Sequence, residues 1–194
     1  HHNLQCVAAM EEVLRQRPPE RGRARALALV PWDDELATYF AVEGGDGRSR
    51  ATLLKLAALF HDVAKPQTKR VEPSGRLRFI GHHTLGAQMA EGMGQRLRLS
   101  GRGVRFLSAL VEHHLRPGQM AQPGEMPTPR AVYRFFRDAG DAAIGVLYLN
   151  LADYLAARGP TLELADWRRH TEVIRFVLAE SRREEKRTAP PLVD

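Results

Sequence analysis

The stretch from 49 to 64 constrains this chain more than any other. Leu53, Leu54, Leu56, Ala57, Leu59 and Phe60 make it apolar around most of a helical circumference, which is the pattern of a helix buried in the centre of a core. Lys65 precedes Pro66, and the proline disfavours helical geometry at the residue before it, so the helix is predicted to end there. His61 and Asp62 then fall in its last turn, at a mouth of the core. A carboxylate so placed is costly to bury unless positive charge meets it. Imidazole beside carboxylate is also a good donor set for borderline and hard divalent cations.

Company strengthens that pair. Seven of the eight histidines fall in four places, His1-His2, His61, His82-His83 and His113-His114. Asp153 interrupts the apolar run Ile144, Val146, Leu147, Leu149, Leu151, Tyr154 and Leu155. A carboxylate there sits at a solvent edge or is paired, and pairing through a metal is the favoured expectation. Projected at about 100° per residue, Val104, Leu107, Leu110 and Val111 form one arc with His114 at its centre, so His114 is predicted to point inward and His113 to be structural.

The remaining pattern is helical. Leu4, Val7, Ala8 and Leu14 recur at helical spacing before Pro18-Pro19, and Asp33 or Asp34 can cap a helix running to about Val42. Glu43 to Gly47 reads as a surface turn, since a phosphate-cradling glycine loop needs a preceding strand and none is visible. Residues 70–80, with Pro73-Ser74-Gly75 at their centre, read as a short hairpin or irregular loop. The helix from about His82 to Leu99 is expected to face the core through Leu85, Met89, Met93 and Leu97, with Gly86, Gly92 and Gly94 marking close packing. A long loop follows from Arg116 to Pro129. Helices are expected over 128–139, 141–158 and 161–183, the last with Leu164, Trp167, Thr171, Ile174 and Leu178 inward and His170 at the surface. His1 and His2 open the first helix, as ligands or as a purification-tag remnant.

The chain of 194 residues is long enough for one full core. Residues 1–187 are read as one domain and 188–194 as a tail or linker. A net charge of +6, mostly from arginine, favours phosphate-bearing partners. No apolar run approaches the roughly 18 residues of a membrane span. A single cysteine, Cys6, excludes an intramolecular disulfide and fits a reducing cytoplasm. The abrupt start at His1 suggests a segment of a larger protein.

The phrases His2-Asn3-Leu4, Leu59-Phe60-His61-Asp62-Val63-Ala64-Lys65-Pro66, Phe79-Ile80-Gly81-His82-His83-Thr84-Leu85-Gly86-Ala87, Val111-Glu112-His113-His114-Leu115-Arg116-Pro117 and Leu151-Ala152-Asp153-Tyr154-Leu155-Ala156-Ala157-Arg158-Gly159 together resemble the HD-domain superfamily of metal-dependent phosphohydrolases. They are most similar to the HD domain attached to bacterial tRNA nucleotidyltransferases and poly(A) polymerase-like proteins. The resemblance implies an all-α helical bundle with at most one short hairpin. It implies His2, His61, Asp62 and Asp153 as metal ligands, joined by His82 and His114 where a second metal binds, with Asp62 bridging. His83 departs from the family pattern, which has Glu after Gly-His; that leaves His82 or His83 as the ligand, and His82 is taken.

One or two divalent ions (Mn, Ni, Co, Mg, Fe or Zn) are implied, with Asp62 and Lys65 catalytic and with Lys65 and Arg116 on phosphate. The expected activity is phosphomonoester or phosphodiester hydrolysis on a nucleotide or RNA end, tRNA among the candidates, in tRNA 3′-end processing. The alternative is a helical RNA-binding or scaffolding module with a vestigial metal site. No strand with a Gly-Ser turn and paired aspartates is present, so a nucleotidyltransferase part is expected before His1.

Overall fold

The structure, a computed structural model, describes residues 1–15, 23–122 and 124–188. It is an all-α bundle with two minimal antiparallel hairpins. Of the expected tail, 188–194, Thr188 still belongs to the last helix and 189–194 lie outside the described residues.

Two helices run through the middle. Helix α4 (Arg50–Phe60) buries Ala51, Leu53, Leu54, Ala57 and Ala58, and α9 (Ala143–Arg158) is buried along most of its length. Helix α1 (His2–Val13) packs on both. It buries Cys6, Ala9, Met10 and Val13, a stripe one step round from the predicted one, and Leu4 is 65% exposed. Of the predicted stripe Leu14 is buried and Val7 and Ala8 are half-buried, because α1 lies against both α4 and α9 and so covers a broader arc. The buried stripe, continued back one turn, contains His2.

Ser49 accepts a hydrogen bond from the Thr52 N–H and caps α4, and of the two predicted candidates it is Asp33 that caps α3 (Asp34–Ala41), through the Leu36 N–H. Helix α2 (Ala24–Leu27) is a single turn before it. Strands β1 (Glu43–Gly45) and β2 (Arg48–Ser49) form a hairpin where a surface turn was expected; positive φ at Gly45, Asp46 and Gly47 closes it.

Helix α4 ends at Phe60, earlier than Pro66 suggests. Residues 61–64 form tight turns, and Pro66 sits in the first turn of the short α5 (Lys65–Thr68). Proline is tolerated there because its missing N–H is not needed. Strands β3 (Lys69–Val71) and β4 (Leu77–Phe79) make the expected hairpin.

Helix α6 (His82–Arg96) packs on α7 (Gly101–His113) through small residues. Its buried positions are His82, Gly86, Ala87, Ala90 and Gly94. The predicted row Leu85, Met89 and Met93 is only half-buried, and Leu97 is exposed. A Cβ on Gly86 would stand 3.2 Å from Val111 Cγ1, so backbone closeness, and not apolar bulk, decides which face goes in. Gly92 has open space instead.

The segment after α7 begins with a 3-10 turn, Arg116–Gln119. Helices α8 (Pro129–Ala139) and α10 (Leu164–Thr188) complete the bundle. Trp167, Thr171, Ile174 and Leu178 are buried as expected, but Leu164 is 37% exposed. His170, predicted at the surface, is half-buried and stacks on Tyr154 with ring centroids 4.3 Å apart. Among the described residues, no helix is long and apolar enough to cross a membrane.

Candidate metal centre

Five elements deliver side chains to one point. His2 comes from the first turn of α1, His61 and Asp62 from the turn after α4, His82 from the start of α6, His114 from the residue after α7, and Asp153 from α9. His61, Asp62, His82 and His114 are all buried, at 0, 8, 7 and 3% exposure.

Asp62 is the hub, and its two oxygens face different partners. Oδ2 lies 3.3 Å from His61 Nε2, 4.0 Å from His2 Nε2 and 2.5 Å from Lys65 Nζ. Oδ1 lies 3.5 Å from His82 Nε2 and 3.8 Å from His114 Nε2. Asp153 Oδ1 completes the first side, 2.9 Å from His2 Nε2 and 3.5 Å from His61 Nε2. Ligand atoms about 2.0–2.2 Å from one ion stand at most roughly 4.4 Å from each other, so each of these separations is compatible with a shared cation.

Ring orientation is fixed by the backbone. His61 Nδ1 contacts the Ala58 carbonyl at 2.9 Å, His82 Nδ1 that of Phe79 at 2.6 Å, and His114 Nδ1 that of Val111 at 2.6 Å. Each carbonyl lies three residues upstream. An Nδ1 held on a carbonyl turns the ring so that Nε2 is aimed at Asp62, and such a hydrogen bond on the far nitrogen is what orients metal-ligating histidines. His82 Nε2 is buried without a hydrogen-bond partner. An orphaned buried nitrogen is costly, and a cation would satisfy it. The donor set therefore fits a divalent metal.

Electrostatics describe what stands in without one. Burial disfavours the charged form of His61, but Asp153 and Asp62 facing Nε2 outweigh it and raise its pKa to about 9. Burial likewise opposes ionisation of Asp62, yet His61 and Lys65 hold it well below the usual carboxylate range. Asp153 is also lowered, with burial and the Asp62 charge opposing and His61 and His2 prevailing. Burial lowers His114 to about 4, so it is neutral near pH 7. In the metal-free protein the two carboxylates are thus neutralised by the His61 imidazolium and the Lys65 ammonium.

His83 lies outside the group, with its ring centroid 6.0 Å from that of His82, so the structure brings His82 to Asp62. Arg116 is held on Asp138 of α8 at 3.3 Å. His113 is half-buried and separate from the cluster.

Two residues of the site escape sequence reasoning. Cys6 is fully buried and its sulfur lies within 4.8 Å of ligand atoms of His61 and Asp153; burial and the Asp153 and Asp62 charges raise its thiol pKa. Its spacing of four residues from His2 was the available signal. Asn3 donates from Nδ2 to the Leu59 carbonyl at 2.8 Å, tying the first turn of α1 to the end of α4.

The HD domain family model matches residues 34–158, more than half of the chain. That span contains His61, Asp62, His82, His114 and Asp153 and excludes His2 and Cys6. The chain is 38% identical over 126 residues to the CC-adding tRNA nucleotidyltransferase of Thermus thermophilus, covering 62% of this chain and 27% of the relative. It is 37% identical over 110 residues to the A-adding tRNA nucleotidyltransferase of Deinococcus radiodurans, covering 56% and 24%. It is 35% identical over 118 residues to a bifunctional uridylyltransferase/uridylyl-removing enzyme of Nitrosococcus oceani, covering 59% and 12%. The aligned part spans about a quarter or less of the length of these relatives.

Proposed function

Since the chain belongs to the HD domain family, we propose that it is a metal-dependent phosphohydrolase. The substrate is a phosphomonoester or phosphodiester of a nucleotide or RNA end, and the setting is tRNA 3′-end processing. The observation that carries the reading is the division of Asp62, with Oδ2 toward His2 and His61 and Oδ1 toward His82 and His114.

His2, His61, Asp62 and Asp153 would hold one divalent ion, and Asp62, His82 and His114 a second. Imidazole and carboxylate donors suit Mn, Co, Ni, Fe or Zn, with Mg the poorer match. What such an ion supplies when bound is neutralisation of phosphoryl charge and a lowered pKa for water. Asp62 orients both halves. His114, neutral, keeps its lone pair on Nε2. Lys65, whose side chain is 39% exposed, moves from Asp62 Oδ2 onto a phosphoryl oxygen, and Arg116 does the same from Asp138.

The second reading is a non-catalytic RNA-binding module of a tRNA nucleotidyltransferase-like protein. In its favour, His61 and Lys65 already neutralise the carboxylates without a metal. One experiment separates the two: hydrolysis of p-nitrophenyl phosphate and bis-p-nitrophenyl phosphate with Mn²⁺, Co²⁺, Ni²⁺ or Mg²⁺, alongside tRNA binding, for wild type and Asp62→Ala. Hydrolysis lost in the variant supports the hydrolase. No hydrolysis by wild type, with tRNA binding equal in both proteins, supports the module.

A further inference from the structure

The same helices that bring His61 and His114 to the metal centre bring arginines to their other ends. A cavity of about 390 Å³ opens there, lined by Gly44, Arg50, Arg102, Arg105, Phe106 and Asp141 among others. Arg50 opens α4, and Arg102 and Arg105 lie in the first turns of α7. At about 1.5 Å per residue, Arg50 stands roughly 16 Å along α4 from His61, and Arg102 and Arg105 roughly 18 and 14 Å along α7 from His114. The cavity is a separate place on the molecule.

Its arginines are arranged, not scattered. The Arg50 side chain is 13% exposed, with its guanidinium 4.4 Å from the Tyr39 ring centroid and 5.8 Å from that of Phe106. Its ion-pair partner Asp141 lies 3.5 Å away and is 79% exposed, so an incoming anion can replace that carboxylate without burying it unpaired. Arg102 and Arg105 stand one turn apart on the face that carries Phe106, and neither has an ion pair among the described residues. Three guanidinium groups against one carboxylate leave the cavity positive.

The β1–β2 hairpin forms a wall. Gly45 has φ +144°, and a Cβ there would lie 2.5 Å from Ser100 Oγ and 3.0 Å from the Gly103 nitrogen, so glycine lets the hairpin seat on the start of α7. Asp46 accepts a hydrogen bond from the Ser100 N–H. The volume falls within the range of small-ligand pockets, and planar guanidinium forks match phosphoryl oxygens.

We infer that this arginine cavity is a second anion site, taking a phosphoryl group of a nucleotide or of an RNA strand. It stands whether or not the metal centre hydrolyses anything. The test uses the full chain in EDTA and follows fluorescence anisotropy of a labelled single-stranded RNA oligonucleotide, with ATP and pyrophosphate as competitors. Arg102→Glu/Arg105→Glu, at exposed positions, is expected to weaken RNA binding at least about tenfold. It should also flatten the plot of log K against log salt by about 1.4, the slope of two lost single-strand phosphate contacts. Arg102→Gln/Arg105→Gln shifts both in the same direction by less, and Asp62→Ala changes neither. Displacement of RNA by ATP and pyrophosphate identifies free nucleotide as a ligand; displacement by neither identifies the strand backbone. An unchanged affinity and slope in both arginine variants, absence of binding by wild type, or equal binding of polyglutamate overturns the inference.

Discussion

Lys65 Nζ stands 2.5 Å from Asp62 Oδ2, on the same oxygen that His2 and His61 face. An ammonium and a divalent cation repel, so the lysine has to leave that oxygen when the first half of the site fills. Lys65→Gln should therefore bind Mn²⁺ severalfold more tightly by calorimetry while hydrolysing a phosphoester about tenfold or more slowly. Weaker Mn²⁺ binding in this variant would show that the lysine organises the site instead of competing for it.

Asp62 belongs to both halves, whereas His82 belongs to one. Asp62→Asn is expected to reduce affinity for Mn²⁺ or Co²⁺ by more than about 100-fold at every site, since an outer-shell partner alone is worth 10–100-fold. His82→Ala should lower the bound stoichiometry and leave the half built on His2, His61 and Asp153. Metal analysis after gel filtration distinguishes these outcomes, and equal losses in the two variants would contradict the division of Asp62.

The pH dependence has two limbs of opposite sign. His61 has a folded pKa raised to about 9 from an ordinary value of 6.5, so its contribution to metal-free stability is complete below pH 6.5 and is lost as pH rises toward 9. His114 is lowered to about 4; the unfolded chain binds its proton more readily, so stability falls as pH drops from 6.5 toward 4. Thermal melts in EDTA should peak near pH 6.5, and His114→Gln should flatten the acid limb. Metal displaces the His61 proton, so calorimetry in buffers of different ionisation enthalpy should report proton release below pH 9.

Gly86, one turn after His82, is where α6 packs closely on α7. A Cβ there meets Val111 Cγ1 at 3.2 Å and the His61 carbonyl oxygen at 3.7 Å. Gly86→Ala is expected to destabilise the fold by about 1–3 kcal/mol through overpacking. Combined with Val111→Ala it should cost less than the two single changes added together, a coupling that urea melts can read. Strict additivity would mean that α6 shifts as a body.

Much of this protein was legible in its residues. Periodicity located most helices, capping by Asp33 marked one start, and the order of His2, His61-Asp62, His82, His114 and Asp153 pointed to a single cluster. These signals are local, or repeat at a period that the backbone itself imposes.

The failures share a cause. Leu4, Leu97 and Leu164 are apolar yet exposed, and α6 goes inward by its glycines and alanines, because burial depends on how closely a neighbouring helix approaches. His170 reaches Tyr154 from another helix, and the β1–β2 hairpin rests on α7.

Sequence by itself determined a helical chain with a patterned set of imidazoles and carboxylates. Only the tertiary structure decided that Asp62 divides its oxygens between two groups, that Cys6 lies among the ligands, and that Arg50, Arg102 and Arg105 share a cavity. Each is a distance between residues far apart along the chain, fixed by the packing of whole helices, and no local pattern encodes it.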